Sequence, residues 1–464
     1  MKLSWGENMA EQLKLVIRDE SVDFYGGSGD LSSLDLLTWV AENGWTQMIA
    51  TDDTIDVDEA LTLHIPGSSD DNLASNTQAL DAILVRAQRA EEFRNFQEAW
   101  LRVQLNGETG ARQSMIRSIQ RGKVSVLDFL AAEHYFTDYV LGLRRTPLWE
   151  GTVLRSFTGT GLSALGGKLN YTGIVGDRPA RPAMTKISGS DALDEFWVGV
   201  QSTRLNTTPE DFNPVWNLTL TAVANRGADF NILADATAIT GQKVAITFFS
   251  EESLVMRAII TVNEVTNAQY GRYQVLLRAK VTGTQIARVR LGFGNWFNSQ
   301  GFFNILPNRV RVDSTDWKLY SLGEVDLPIR PHSVSVIGFR SAGLRIEAES
   351  IPGWEAGYLE MDSLILIPRL DGFMHLKAVN PVNTNWVHEA YYRPGGEIYG
   401  KVLDALGLGV QIEELHPDQR RWGLEPGKGT LVCAAQNAGI STLGDTFDLQ
   451  VKAYETWLTL RGAE

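Results

Sequence analysis

The sequence predicts a mainly β protein: an antiparallel β-sandwich host with one flanking helix, interrupted by a second β-sandwich. Three observations predict it. Short apolar runs with period-two alternation recur through the 464 residues, separated by turns that draw on 43 glycines. Only the stretch from about residue 70 to Phe96 carries a sustained helical period. A dense series of strands between 171 and 370 lies between flanking stretches that read as two halves of one domain.

Taken in order, Leu13 to Ile17 reads as a first strand and Gly26-Gly27-Ser28-Gly29-Asp30 as a turn. Ile55, Val57, Leu61, Leu63 and Ile65 share one face of the next strand, with Glu59 as the exception on that face. Pro66-Gly67 ends it, and Ser68-Ser69-Asp70-Asp71 supplies N-cap and first-turn chemistry for the helix, where Leu73, Leu80, Ile83, Leu84 and Ala87 fall at helical spacing. Trp100 to Leu105 alternates before the turn signal Asn106-Gly107, and Tyr139, Leu141 and Leu143 mark a further strand between His134 and Trp149. These elements make residues 1–157 the first half of the host. The Gly/Ser/Thr-rich stretch 158–170 reads as a linker. In the insertion, 171–370, the runs at 183–187 and 196–200 look like paired strands. Further strands follow at 243–249, 257–262, 273–279, 288–293, 317–320, 333–339, 343–349 and 362–367. The second half of the host, 371–464, is expected to hold a short helix at Ile398 to Leu406, a turn at Leu424 to Gly429, and strands at 430–435, 446–454 and 457–461.

Bulk properties narrow the function. A net charge of −14 does not attract a phosphate backbone or an anionic lipid surface, so neither nucleic acid nor membrane is an expected partner. No apolar run reaches the ~20 residues of a spanning helix, and the first 17 residues lack a signal-peptide core. The one cysteine, Cys433, lies in the apolar run Leu431 to Ala435 and reads as a small core residue. Thirteen tryptophans suit cores, interfaces or sugar stacking.

The ordered runs Gly241 to Ile246, Gly271-Arg272-Tyr273-Gln274-Val275-Leu276-Leu277-Arg278, Asp316 to Tyr320, and Met361-Asp362-Ser363-Leu364-Ile365-Leu366 resemble carbohydrate-binding modules and galactose-binding-like jelly rolls. The resemblance implies a jelly-roll insertion. The strand–turn–helix at Leu61 to Arg86, the hairpin near Trp100 to Ile119, the turn Leu424-Glu425-Pro426-Gly427 and the late Trp457-Leu458 strand resemble the tail-tube and distal-tail group of long-tailed phages, whose β-sandwich assembles into rings. The helical stretch Asn72 to Phe96 is longer than that group's pattern.

Candidate chemistry is sparse. Asp362, at the place where many jelly-roll modules hold a structural Ca2+, is a metal candidate with Asp229 as a second ligand. Its bland alternative is to cap a turn or to pair with Arg278 or Arg288. Trp296, Phe297, Phe302 and Phe303, among Gly292, Gly294 and Gly301, are candidates for a sugar-stacking platform, or else for the cover of a sandwich end or a subunit interface. The acidic run Asp52, Asp53, Asp56, Asp58 and Glu59 lacks the EF-hand spacing and suits a solvated edge or subunit contact better than a metal. The six histidines are scattered, no H-E-x-x-H, C-x-x-C or G-x-S-x-G occurs, and Glu347, Glu349 and Glu360 can be nominated for a glycosidase only as nearly any β-sandwich offers such acids. With no catalytic motif, a non-enzymatic role is expected, and the resemblance to the phage-tail group implies a virion structural protein, a tail-tube or distal-tail component that forms rings. Its expected partners are copies of itself, other virion proteins and a cell-surface glycan, and no cofactor is expected beyond that Ca2+. The alternative is a secreted or surface carbohydrate-binding protein.

Overall fold

Alternating burial along the early strands builds the N-terminal body of the computed structural model. The structure describes residues 10–17, 20–25, 39–45, 56–66, 69–92, 99–105, 110–120, 136–189, 193–203, 208–218, 228–248, 258–261, 271–297, 300–327, 341–351, 357–379, 386–392, 398–403, 409–413, 423–437 and 440–457. The body comprises β1 (Ala10–Ile17), β2 (Glu20–Tyr25), β3 (Trp39–Trp45), β4 (Val57–Pro66), α1 (Asp70–Glu92), β5 (Ala99–Leu105), β6 (Ala111–Gln120) and β7 (Phe136–Arg145). Helix α1 starts where Ser69 Oγ accepts the Asn72 amide at 3.2 Å and Asp70 and Asp71 face the positive end of the helix dipole. Its Leu73, Leu80, Ile83 and Leu84 pack on Leu61, Leu63 and Ile65 of β4 and Leu101 and Val103 of β5.

The chain then runs through β8 (Trp149–Ser163), β9 (Leu165–Ile174), β10 (Arg178–Ser188) and β11 (Leu193–Ser202). Next comes the inserted series β12 (Val215–Asn217), β13 (Ala228–Ala234), β14 (Gln242–Phe248), β15 (Ala258–Thr261), β16 (Gly271–Val281), β17 (Ala287–Phe297), β18 (Gln300–Ile305), β19 (Val310–Val312), β20 (Lys318–Leu327), β21 (Ser341–Ser350) and β22 (Leu359–Pro368). It returns through β23 (Phe373–Val379), β24 (Trp386–Tyr392), β25 (Ile398–Leu403), β26 (Gly409–Glu413), β27 (Gly427–Asn437) and β28 (Thr446–Trp457). The pairs are antiparallel, and the late strands sit among the early ones. β28 lies between β8 and β10 in a 13-stranded sheet, and β27 lies between β9 and β11 in a four-stranded sheet. The insertion forms a six-stranded sheet (β13-β14-β22-β16-β20 with β12) facing a five-stranded one (β15-β21-β17-β18 with β19).

Four expectations change. Residues 158–170, read as a linker, are the end of β8 and the start of β9, consecutive strands of two different sheets, so the chain turns a corner there. The glycines serve that corner: Gly166 has φ +90, and a Cβ on Gly167 would lie 2.6 Å from the Ser163 carbonyl oxygen. Strands β9 to β11, placed in the insertion by the 171–370 boundaries, pair with β23, β24, β27 and β28 of the host instead. β10 and β11 also do not pair with each other but belong to different sheets. Residues 398–403 form β25 rather than a helix, because pairing with β24 and β26 overrides local preference. The expected strand 333–339, the turn 106–107 and residues 458–461 lie outside the described residues.

The four-stranded sheet is covered on both faces. Phe196, Val198, Val200, Leu431, Cys433 and Ala435 pack against Phe447, Leu449 and Val451 of β28. Trp197, Val432, Ala434 and Phe373 join the core of the inserted sandwich. That is why β11 and β27 read as continuous apolar runs rather than alternating ones. Strand β22 is buried at every position for the same reason. At the crossing, a Cβ on Gly199 would meet the Pro368 carbonyl oxygen at 1.9 Å, so only glycine lets the layers approach. Each fully buried Leu, Ile or Val here contributes about 1.5–3 kcal/mol over exposure, so this contact between host and insertion is a core and not a surface touch.

Candidate functional site

A buried polar cluster joins the insertion to the host. On β22, register slips between Arg278 and Ala279 of β16: Arg278 faces Ser363 and Ala279 faces Met361, leaving Asp362 as the extra residue of a bulge. A bulge re-aims a side chain, and here Asp362 Oδ2 meets Arg278 Nη1 at 2.5 Å and accepts the Ile239 amide at 2.9 Å. Arg278 Nη1 also donates to the Thr237 carbonyl at 2.8 Å, Nη2 to the Ser441 carbonyl at 2.9 Å, and Nε to Ser441 Oγ at 3.3 Å. Its guanidinium lies 4.6 Å from the centre of the Trp317 ring. Ser441, from the connection between β27 and β28, donates its amide to the Trp317 carbonyl at 2.7 Å, and the Leu319 amide donates to Gln436 Oε1 of β27 at 2.7 Å.

Burial pushes the Asp362 carboxyl up, only partly offset by the Ile239 amide and Arg278, and burial pushes the Arg278 guanidinium down, only partly offset by Asp362. Both shifts point toward the neutral forms. Burial therefore opposes the charged form of each partner, and the hydrogen bonds that converge on the pair offset part of that cost. Beside it, Lys243 bridges Asp235 at 2.8 Å and Glu360 at 2.9 Å.

The two metal candidates are apart. Met361, next to Asp362, faces Val244, whereas Asp229 is exposed on β13 and faces Thr247. That separates them by about 10 Å along the strands, at roughly 3.3 Å per residue, and by two strand spacings across the sheet. Asp362 takes the Arg278 alternative; Arg288 instead lies 3.9 Å from Glu349. Among the described residues no group of three or more His, Cys, Asp or Glu is placed to hold a metal ion.

The four candidate aromatics share the β17–β18 hairpin, where Trp296 pairs with Gly301, Asn295 with Phe302 and Gly294 with Phe303. Alternation puts positions 296 and 303 on one face and 297 and 302 on the other, so the four do not form one platform. Ala287, Val289 and Leu291 are core residues, so the 296/303 face is the outer face of the five-stranded sheet. Gly292, Gly294, Gly301 and Gly343 occupy the same face, with Gly294 paired to Gly343. The nominated acids are engaged: Glu347 with Arg290 at 2.5 Å, Glu349 with Arg309 at 2.5 Å, and Glu360 with Lys243 and Lys280. In the acidic run, Asp56 lies 3.5 Å from Arg144, and buried Glu59 lies 2.6 Å from buried Arg145. Asp58 is exposed, and Asp52 and Asp53 fall outside the described residues. Sequence reading missed Thr237, Trp317 and Ser441, since nothing local marks contacts between residues 41 to 163 positions apart.

No protein-family model matches the chain, and no curated protein matches it. Among solved structures it is similar to the CBM22-1 xylan-binding domain of Paenibacillus barcinonensis Xyn10C, with 12% identity over 33% of this chain and 92% of that one and a TM-score of 0.21. It is also similar to the SPP1 Dit (gp 19.1) protein, described as a paradigm of the hub adsorption apparatus in phages infecting Gram-positive bacteria, with 10% identity over 76% of this chain and 92% of that one and a TM-score of 0.21. Among the described residues no helix is long and apolar enough to cross a membrane.

Proposed function

We propose that the chain is a structural protein of a virion tail that assembles with copies of itself and with other virion proteins, its host domain making the contacts and its jelly roll held outward as a fixed module. The observation that carries this reading is the seam between the two bodies. A module that searches for ligand is served by a flexible tether. This one is instead clamped by a doubly buried sheet and by the Arg278 cluster, at an electrostatic cost. Fixed placement serves a symmetric assembly, in which every copy must present the module alike. A role without catalysis fits the engagement of Glu347, Glu349 and Glu360 in ion pairs. The test is the solution mass of the purified chain, with electron microscopy at high concentration. Multiples of 51.4 kDa as rings or tubes are expected; a monomer at every concentration refutes the reading.

A second reading, a carbohydrate-binding surface, is favoured by the glycine-floored outer face that carries positions 296 and 303. Glycines in strand interiors allow close approach, and an aromatic ring at the margin suits a pyranose face. Affinity electrophoresis in gels containing soluble polysaccharides tests it: retardation lost in Trp296→Ala supports it, and no retardation in any gel removes it.

A further inference from the structure

Among the described residues, strand β8 has neighbours on both sides only near its start, where Glu150 and Gly151 pair with Gln113 and Arg112 of β6. From Leu154 onward it pairs with β28 alone, so its other edge is open among the described residues. A bulge opposite Asp448, between Gly159 and Leu162, ends the regular stretch, leaving Val153–Thr158 as the open edge. Native edges are shielded by lysine, proline or an overlying segment. Val153–Thr158 contains neither residue. It is instead aliphatic and open: Val153 is 68% exposed and Leu154 38%, and nearby Val175 is 56% exposed. The single charge of the strip, Arg155, is cancelled by Glu455 at 3.0 Å, and the same carboxylate oxygen accepts the Val175 amide at 3.0 Å.

We propose that this edge, Val153–Thr158 of β8, is where a second copy of the chain adds a strand to the large sheet. The charge pattern selects the occupant. With a net charge of −14, two copies repel each other overall, and a basic partner is drawn to the negative charges rather than to a neutral strip. The strip is electrically neutral and offers backbone donors and acceptors, so like meets like there without repulsion. This rests on the self-assembly reading and names its contact.

The experiment compares the wild-type chain, Leu154→Lys/Thr158→Lys, and Ile232→Lys as a control on an exposed position of β13, by sedimentation velocity over a concentration series with far-UV circular dichroism. Leu154 and Thr158 are exposed, so the fold tolerates lysine there. Self-association weakened at least about tenfold in the edge variant, and unchanged in the control, is the expected result. A wild type that associates and an edge variant that associates equally overturn the β8 contact while leaving self-assembly standing. A wild type that stays monomeric overturns both, and so does a monomer with a foreign chain on the strip. If the edge variant loses its native spectrum, hydrogen exchange of the wild type decides: protection of amides 153–158 that rises with concentration supports the contact, and concentration-independent protection overturns it.

Discussion

Arg278→Met is expected to destabilise the protein by about 3–5 kcal/mol, the range for removing one member of a buried ion pair. Methionine keeps most of the stem volume, so packing is nearly conserved and the loss is polar. Asp362 is left with one donor, the Ile239 amide, while the Thr237 and Ser441 carbonyls lose theirs. Each orphaned group costs about 1–3 kcal/mol. The companion variant Arg278→Met/Asp362→Leu removes both charges. Because burial disfavours the charged form of each partner, the double variant should recover much of the loss. Urea unfolding of the wild type and both variants measures this as a cycle. The pH dependence has a definite sign. The folded-state pKa of Asp362 lies above the ordinary 3.8, so between those values the folded state binds more protons than the unfolded state and stability rises as pH falls. Without Arg278 that window extends upward, so the single variant's deficit should shrink between pH 7 and pH 4. A single variant within about 0.5 kcal/mol of wild type, or a double variant no more stable than the single, would refute the reasoning.

Three further outcomes are expected. Gly199→Ala, whose Cβ would stand 1.9 Å from the Pro368 carbonyl oxygen, should cost at least about 1–3 kcal/mol by forcing the four- and six-stranded sheets apart, measured as a lower urea midpoint at unchanged m-value. Burial pushes the Cys433 thiol well above its ordinary range, so a thiol reagent at pH 8 should label it only on unfolding; rapid native labelling would contradict its place between the sheets. Burial raises the Asp235 carboxyl, but hydrogen bonds from Lys243 and Thr237 outweigh it and hold the carboxyl below 3.8. Its stabilising contribution is therefore present above that pH and lost below it, and Asp235→Asn should flatten the acid limb of an unfolding curve; identical limbs would show the bridge to be inert.

Local signals were legible where one period acts alone. β4, α1 and β5 stood out because each has a single buried face, and the one odd residue on β4, Glu59, proved to be the partner of Arg145. Of the inserted strands, β14 to β17 and β20 to β22 were legible from their turns, whereas β12, β13, β18 and β19 were not. What failed depended on distance along the chain. β10 and β11 look like a hairpin because sequence neighbours usually pair, yet β27 and β28 enter beside them from more than 200 residues away. The glycines at 159–167 look like a tether because a sharp corner and a flexible link use the same residue. Arg278 with Asp362 was visible as one option between two strands, but Ser441, which completes it, carries no mark of its own. The four aromatics look like one patch in sequence, and strand alternation divides them.

The doubly covered four-stranded sheet also determines how the gene product can be cut. An insertion normally behaves as a cassette, removable with a short splice. Here excision of residues 215–368 would strip Trp197, Val432, Ala434 and Phe373 of their cover and leave the host with a greasy wall facing water. Any shortened or chimeric version must therefore redesign that wall, and the two sandwiches are expected to be gained or lost only together.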